Sequence, residues 1–315
     1  MNQAIKHCVV LLLCFGPSIP ATLASETASE IASEAAGEIV AESNKTKTMP
    51  DTVLINRGHS RLDIRYQYPK ALLNMALEKT EDQYGSTTVD ESARVMNRER
   101  ALLELELGEK LHVMAEAVKP EWEQKLIPVR FPIRKGLQGY RLFLVRRQHL
   151  PLFAQVQTFE QFSLIPTGSG AHWSTRWAME KAGMEVVTGI DYESLFRMLS
   201  RDRFLSFGRG VNEVFDELKQ HQRLYTDLEV EPTLALYIPL PTYFFVSPKY
   251  PELASRIEQG LMRMLDDGSF DQLFMEYHGD DIARAKLSQR KIFRIENPNL
   301  SSDTPLTNSS LWYSP

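Results

Sequence analysis

Beyond residue 48 the chain repeats one unit: a short β-branched run, a turn, and an amphipathic stretch closed by glycine. Thr52-Val53-Leu54-Ile55-Asn56 opens the series and runs into Arg57-Gly58-His59, which reads as a strand entering a turn. From Pro69 to Glu81, Leu72, Leu73, Ala76 and Leu77 fall at helical spacing, with Gly85 as the stop. Arg98 to Leu107 repeats the pattern with Leu102, Leu103, Leu105 and Leu107, and Gly108 closes it. Leu111 to Ala115 and Tyr140 to Val145 read as further strands. A second series starts near Pro151. It has a glycine-rich turn at Thr167-Gly168-Ser169-Gly170, a helix from about His172 to Ala182, and a strand at Met184 to Val187. Amphipathic helices follow at Tyr192–Leu199 and Val211–Gln220. Alternation of this kind predicts an α/β fold with a largely parallel sheet covered by helices.

Composition narrows the function classes. The 315 residues carry 36 Lys and Arg against 41 Asp and Glu, a formal charge of -5, which argues against a nucleic-acid binder. The two cysteines, Cys8 and Cys14, both lie at the N-terminus, so neither a disulfide scaffold nor a cysteine zinc site is expected. Lys6, the apolar run Cys8 to Phe15 and the small residues around Ala24 read as a signal peptide over 1–24, removed on export to the periplasm. A lipoprotein reading at Cys14 would want a small residue before it and finds Leu13. Residues 25–48 set Glu26, Glu30, Glu34, Glu38 and Glu42 four apart among Ala and Ser, which predicts an acidic flexible spacer.

The last third carries the most specific pattern. Thr242 to Ser247 reads as a strand, followed by Pro248-Lys249-Tyr250-Pro251-Glu252-Leu253. A helix from Pro251 to Leu265 places Leu253, Ile257, Leu261, Met264 and Leu265 on one face. A turn at Asp267-Gly268-Ser269-Phe270 and a last short helix, Phe270 to Tyr277 before Gly279, follow. This arrangement resembles the closing element of type II, amino-acid-binding periplasmic solute-binding proteins, specifically over 240–279 and more loosely over 53–279. Within that class it resembles a poorly characterised branch through Gly136 to Arg141, the Gly168 to Trp173 turn, and Arg203-Phe204 to Glu213.

The resemblance implies a two-lobed fold with mixed sheets flanked by helices and a ligand cleft between the lobes. Lobe one is expected over 49–146 and 242–295 and lobe two over 147–241; the Asn-, Ser- and Pro-rich segment 296–315 reads as a flexible tail, with docking of Leu311-Trp312-Tyr313 onto a lobe as the alternative. The implied function is capture of a small polar ligand, anionic or amino-acid-like, by hinge closure, and its presentation to an ABC importer or a membrane sensor. The protein is expected to act as a monomer, without cofactor, metal or nucleic acid.

Candidate ligand residues follow from the residues and the resemblance together. Gly168, Ser169 and Gly170 precede a helix whose N–H groups favour an anion. Trp173 is suited to stack on a ligand or to fill lobe packing. Arg209 is suited to clamp an anion or to pair with Glu213. Arg57, His59, Arg61 and Tyr66 follow the first strand, where such proteins build one cleft wall. Tyr140 and Tyr243 sit on the crossing strands that the resemblance implies, to floor the cleft or brace the hinge. Amino-acid binders of this class carry a T-x-E-R turn whose Arg grips the ligand carboxylate. The matching stretch here is Val118 to Trp122, with Trp122 in place of the Arg. The branch's usual Asp residues are replaced by Thr175 and Leu205.

Enzyme signals are weak. The Gly168 region lacks the outer glycines of a nucleophile elbow, no phosphate loop is present, and no two histidines have zinc-pair spacing. Two alternatives stay open: a fold relic acting by protein contact alone, and a dehydratase-like enzyme using Glu213 or His172.

Overall fold

Two strands buried along almost their whole length, each flanked on both sides in its sheet, organise the molecule. The computed structural model describes residues 49–58 and 66–315. The signal-peptide and spacer readings, with His59 and Arg61, lie outside the described residues.

The first sheet contains β1 (Thr52–Ile55), β2 (Thr88–Glu91), β3 (Val113–Ala117), β4 (Ile127–Val129) and the late strand β11 (Thr242–Val246), in the order β2-β1-β3-β11-β4. β1 runs parallel to β2 and β3, whereas β11 is antiparallel to β3 and β4. Every residue of β11 is buried, as expected for a strand covered on both faces. Helix α1 (Gln67–Glu78) buries Leu72, Leu73, Ala76 and Leu77, the stripe its spacing predicted. Helices α2 (Arg98–Leu107) and α3 (Pro120–Lys125) also belong to this half.

The second sheet holds β5 (Tyr140–Arg146), β6 (Thr167–Gly170), β7 (Val186–Gly189), β8 (Ser206–Gly210), β9 (Leu228–Val230), β10 (Leu234–Tyr237) and β12 (Lys291–Arg294). Its order is β12-β10-β5-β8-β6-β7, with β9 also on β5. β6 is parallel to β7 and β8, while β5 is antiparallel to β8, β9 and β10. Both sheets are therefore mixed rather than largely parallel, because each takes in one reversed central strand. The helices here are α4 (Ser174–Lys181), α5 (Tyr192–Leu199) and α6 (Val211–His221).

The chain passes between the sheets at two adjacent points, and a third time on its way to β12. It leaves after Val129 and enters the second sheet at Tyr140; it returns between Tyr237 and Thr242. The two passages are joined by Ile133 N–H to the Thr242 carbonyl and Ile238 N–H to the Gly139 carbonyl, each 3.0 Å. A side chain at Gly139 would run into the Ile238 carbonyl, so the close approach requires glycine. The crossing therefore lies at 130–139, and Tyr140–Arg146, expected in the first lobe, is a central strand of the second sheet.

The end of the chain departs further from expectation. Helix α7 (Pro251–Asp266) forms as predicted and buries Leu253, Ile257, Leu261 and Met264. The next helix, α8 (Ser269–Ala285), does not stop at Gly279. One interior glycine costs a helix only about 1 kcal/mol, and α8 offsets it by packing at both ends. Its start meets the first half, Phe270 edge-on to Phe131, while Arg284 near its end lies 4.2 Å over the Phe215 ring of α6. The chain then enters the second sheet, where β12 runs parallel to β10. Residues 242–295 are thus divided between the halves.

The tail expected to be flexible packs back across the crossings. Asn297 Nδ2 donates to the Pro239 carbonyl (2.9 Å), and Arg130 pairs with Asp303 (3.2 Å). Tyr313 N–H reaches the Lys135 carbonyl at 2.7 Å, and Tyr140 OH donates to the Tyr313 carbonyl at 3.2 Å. Leu311, Trp312 and Tyr313 supply the apolar anchor that the surrounding Ser, Asn and Pro lack.

Candidate functional site

A cleft of about 1250 Å³ opens between the halves. The first half contributes Tyr68 from α1, Arg98 from α2, Glu116 from β3, Lys119 at the start of α3, Arg134 from the first crossing, and Tyr277, His278 and Asp281 from α8. The second half contributes Arg141, Trp173, Tyr192, Arg209, Glu213 and Glu217, with Ser174 and Thr175 at the start of α4. Among the described residues, seven Lys and Arg side chains line the cleft against five carboxylates.

On the second wall Arg209 and Arg141 are paired with carboxylates, while Lys219 and Arg223 have no ion pair within 4 Å among the described residues. Arg209 leaves the end of β8, stacks over Trp173 at 4.6 Å, and donates to both oxygens of Glu217 at 2.5 and 2.6 Å. Glu213, one helical turn earlier on α6, lies 3.1 Å from the same guanidinium. Burial opposes the Arg209 charge, but the two carboxylates outweigh it and hold its pKa above the ordinary value. Arg141 is fully enclosed and donates to the Gln138 and Gly208 carbonyls at 3.1 and 2.8 Å. Burial, reinforced by Arg209, pulls its pKa down to about 10 despite Glu213. Burial and then Glu217 push the Tyr192 phenol up.

The first wall is different. Arg98 Nε is held by Glu116 at 2.6 Å. Lys119 has no ion pair within 4 Å among the described residues; burial lowers its pKa, and Glu116 partly offsets that. Arg134 lies 5.4 Å over the Tyr68 ring and 3.3 Å from His278 Nε2. Burial and then Arg134 push the imidazole down to about 3. His278 is therefore neutral, with Nε2 able to accept from Arg134.

Asp281 faces Asp216 of α6, with Asp280 and Arg284 beside it on α8. Burial, then Asp216, raises its pKa to about 6; Arg284, 4.0 Å away, pulls the other way. A carboxyl whose folded pKa exceeds its unfolded value binds its proton more tightly when folded. Its charge then costs stability above about pH 6, and the cost fades as pH falls towards 4. Asp281→Asn is expected to stabilise the protein at pH 7.5 by on the order of 1–3 kcal/mol. The gain should vanish near pH 4. Chemical denaturation at both pH values checks this; a gain independent of pH would remove the burial argument.

Several solved structures share this architecture. An ancestral arginine-binding protein bound to arginine superimposes with a TM-score of 0.51 at 14% identity, covering 73% of this chain and 99% of its own. A binding component of an ABC transporter from Wolinella succinogenes, complexed with lysine, gives 0.52 at 11% identity, covering 73% and 97%. An ancestral amino-acid-binding protein described as a precursor of cyclohexadienyl dehydratase gives 0.51 at 13%, covering 72% and 95%. This is the two-lobed type II periplasmic-binding-protein fold. No protein-family model and no curated protein matches the sequence.

Within that fold the sequence-derived candidates separate. Trp173 and Arg209 line the cleft and touch each other. Gly168, Ser169 and Gly170 do not form the expected turn. They are strand β6, buried between β7 and β8. Side chains at 168 and 170 would meet the rings of Phe204 and Trp173, so these glycines make room for aromatic packing rather than for a ligand. Trp122 is buried edge-on to Phe245 at 5.4 Å, and Tyr243 is buried within β11. Tyr140 stacks near Tyr237 at 4.4 Å beside the tail. Arg57 bonds to the Ala93 carbonyl at 3.1 Å, and Tyr66 stands at the N-cap of α1. None of Trp122, Tyr243, Tyr140, Arg57 or Tyr66 is among the described cleft residues. The Arg209 ion pair is buried rather than on the surface, and its main partner is Glu217. Among the described residues no His, Cys, Asp or Glu group is arranged to hold a metal, and no helix is long and apolar enough to cross a membrane.

The sequence reading missed Lys119, Arg134, Tyr192, Glu217 and Asp281. Glu217 carried a signal, standing one helical turn after Glu213 on an amphipathic stretch, and Lys119 lay within the Val118 to Trp122 stretch already singled out. The others come from separate segments that only the fold brings together.

Proposed function

We propose that the protein is a periplasmic solute-binding protein whose cleft takes a small polar solute bearing an anionic group. The observation that carries this is the cationic excess of the cleft lining, seven Lys and Arg side chains against five carboxylates among the described residues. On the second wall Arg209 and Arg141 are held by Glu217 and Glu213. On the first, Lys119 and Arg134 contribute positive potential beside a histidine that stays neutral. Low-dielectric walls focus such a field on the ligand. Ser174 and Thr175 supply hydroxyl groups across the cleft. The crossings at 130–139 and 238–241 serve as the hinge, and the ligand state is read by an ABC importer or a membrane sensor. Glu213, already committed to Arg209, is poorly placed to act as a general acid.

The test is thermal unfolding of the protein against amino acids, dicarboxylates, short peptides, polyamines and sugars. A ligand at a hundred times its dissociation constant adds about 2.7 kcal/mol, which raises the midpoint by about 5–10 °C. A carboxylate-bearing class is expected to give the shift, and Lys119→Met to reduce it at least tenfold in affinity. A response confined to polyamines or sugars, or one that Lys119→Met and Arg134→Gln leave unchanged, overturns the anionic reading. No response from any class favours a protein that acts by contact alone.

A further inference from the structure

Trp173, Tyr192, Glu213 and Glu217 together have the composition of a receptor for a guanidinium group. Two aromatic rings and two carboxylates converge on one point. The group they hold belongs to the chain itself. Arg209 lies 4.6 Å over Trp173 and 5.6 Å over Tyr192, its fork engaged by both oxygens of Glu217. Only 6% of the residue is exposed, yet it borders the cleft. Planar stacking with a bidentate carboxylate is the geometry that guanidinium satisfies and an ammonium does not.

We infer that Arg209 is a specificity-determining residue, an internal cation that occupies a cation-receptor site on the second wall and so denies that site to cationic solutes. This rests on the proposed solute-binding role of the cleft and deepens it. With Arg209 present, the box is filled and its carboxylates are neutralised, so selection falls to the opposite wall. With Arg209 removed, two largely covered carboxylates and a ring-lined space face the cleft. A free guanidinium solute can then take the vacated place.

The test does not need the natural ligand. Full-length Arg209→Ala is expected to unfold about 10 °C below the parent, because two largely covered carboxylates lose their partner. Ten millimolar methylguanidinium chloride should raise the variant's midpoint by about 3 °C, as expected for millimolar affinity. Methylammonium chloride at the same concentration should not, and neither salt should raise the parent. L-Arginine should bind Arg209→Ala and not the parent. If the single variant does not fold, refolding it with methylguanidinium should recover soluble protein that methylammonium does not. The double variant Arg209→Ala/Glu217→Gln should be more stable than the single one and indifferent to methylguanidinium. Equal responses to the two salts, or equal responses in parent and variant, overturn the inference. Loss of the anionic-ligand result with retention of this one would leave the box intact and reject only the reading of the opposite wall.

Discussion

Gly260→Val is expected to be the most damaging single substitution in the first half of the molecule. Gly260 sits on the buried face of α7, where that helix crosses α1. A Cβ built there would run into the Ala76 carbonyl oxygen and lie 2.6 Å from its carbon and 2.9 Å from Cα. These are backbone atoms in the last turn of α1, so no rotamer change relieves them. The helices must separate, and Leu73, Leu77, Ile257 and Leu261 lose their close packing with them. Overpacking against movable side chains costs about 1–3 kcal/mol; against backbone the cost lies at or beyond the upper end. At about 2–4 °C per kcal/mol the midpoint should fall by about 6–12 °C for Ala and further for Val. Gly279→Ala in α8 is the matched control. Its added Cβ finds only Met275 Cε, at 3.5 Å. Relief of the glycine penalty should then stabilise the protein by about 0.5–1 kcal/mol. If Gly260→Ala melts with the parent, the two helices do not meet as described.

The contrast between those glycines shows what the amino-acid pattern can and cannot convey. Apolar residues at helical spacing identified α1 and α7, because a helix that covers a sheet must present one stripe. The same reasoning ended α8 at Gly279, since a glycine outside its tertiary context reads as a stop. It also turned Gly168-Ser169-Gly170 into a loop. The strand there depends on Phe204 and Trp173, whose rings fill the space above its glycines, and neither requirement is visible in the four residues of β6. The crossing was placed too late for a related reason: Gly139 is needed by Ile238, ninety-nine positions further on. At the site, Trp173 and Arg209 were legible as residue types suited to a ligand. Their mutual contact was not, because stacking and a shared carboxylate satisfy them before any solute arrives. Lys119, Arg134 and Asp281 border one cleft only because the start of α3, the first crossing and α8 converge on it.

That spanning arrangement leads to the second large effect. Removing residues 305–315 is expected to lower the unfolding midpoint by about 10 °C and to loosen the relation between the halves. Leu311 is 4% exposed, and Trp312 covers Gly136, which is in the left-handed region at φ 64°. Trp312 Nε1 bonds to the Pro305 carbonyl at 2.8 Å, closing the segment on itself. Tyr313 lies near both Tyr140 and Phe274, on opposite sides of the crossing. Stripping one buried Leu and two half-buried aromatic residues costs about 3–5 kcal/mol. The loss is also positional. Without the tail, the 130–139 passage keeps its bonds to 238–242 but loses the ring packed against its outer side. The described residues contain no cysteine, so with Cys8 and Cys14 changed to Ser, paired spin labels can be placed on α2 and α5. The parent should give one narrow distance distribution and the shortened chain a broader one. Identical midpoints and widths in the two proteins would mean that the tail rests on the crossings without restraining them.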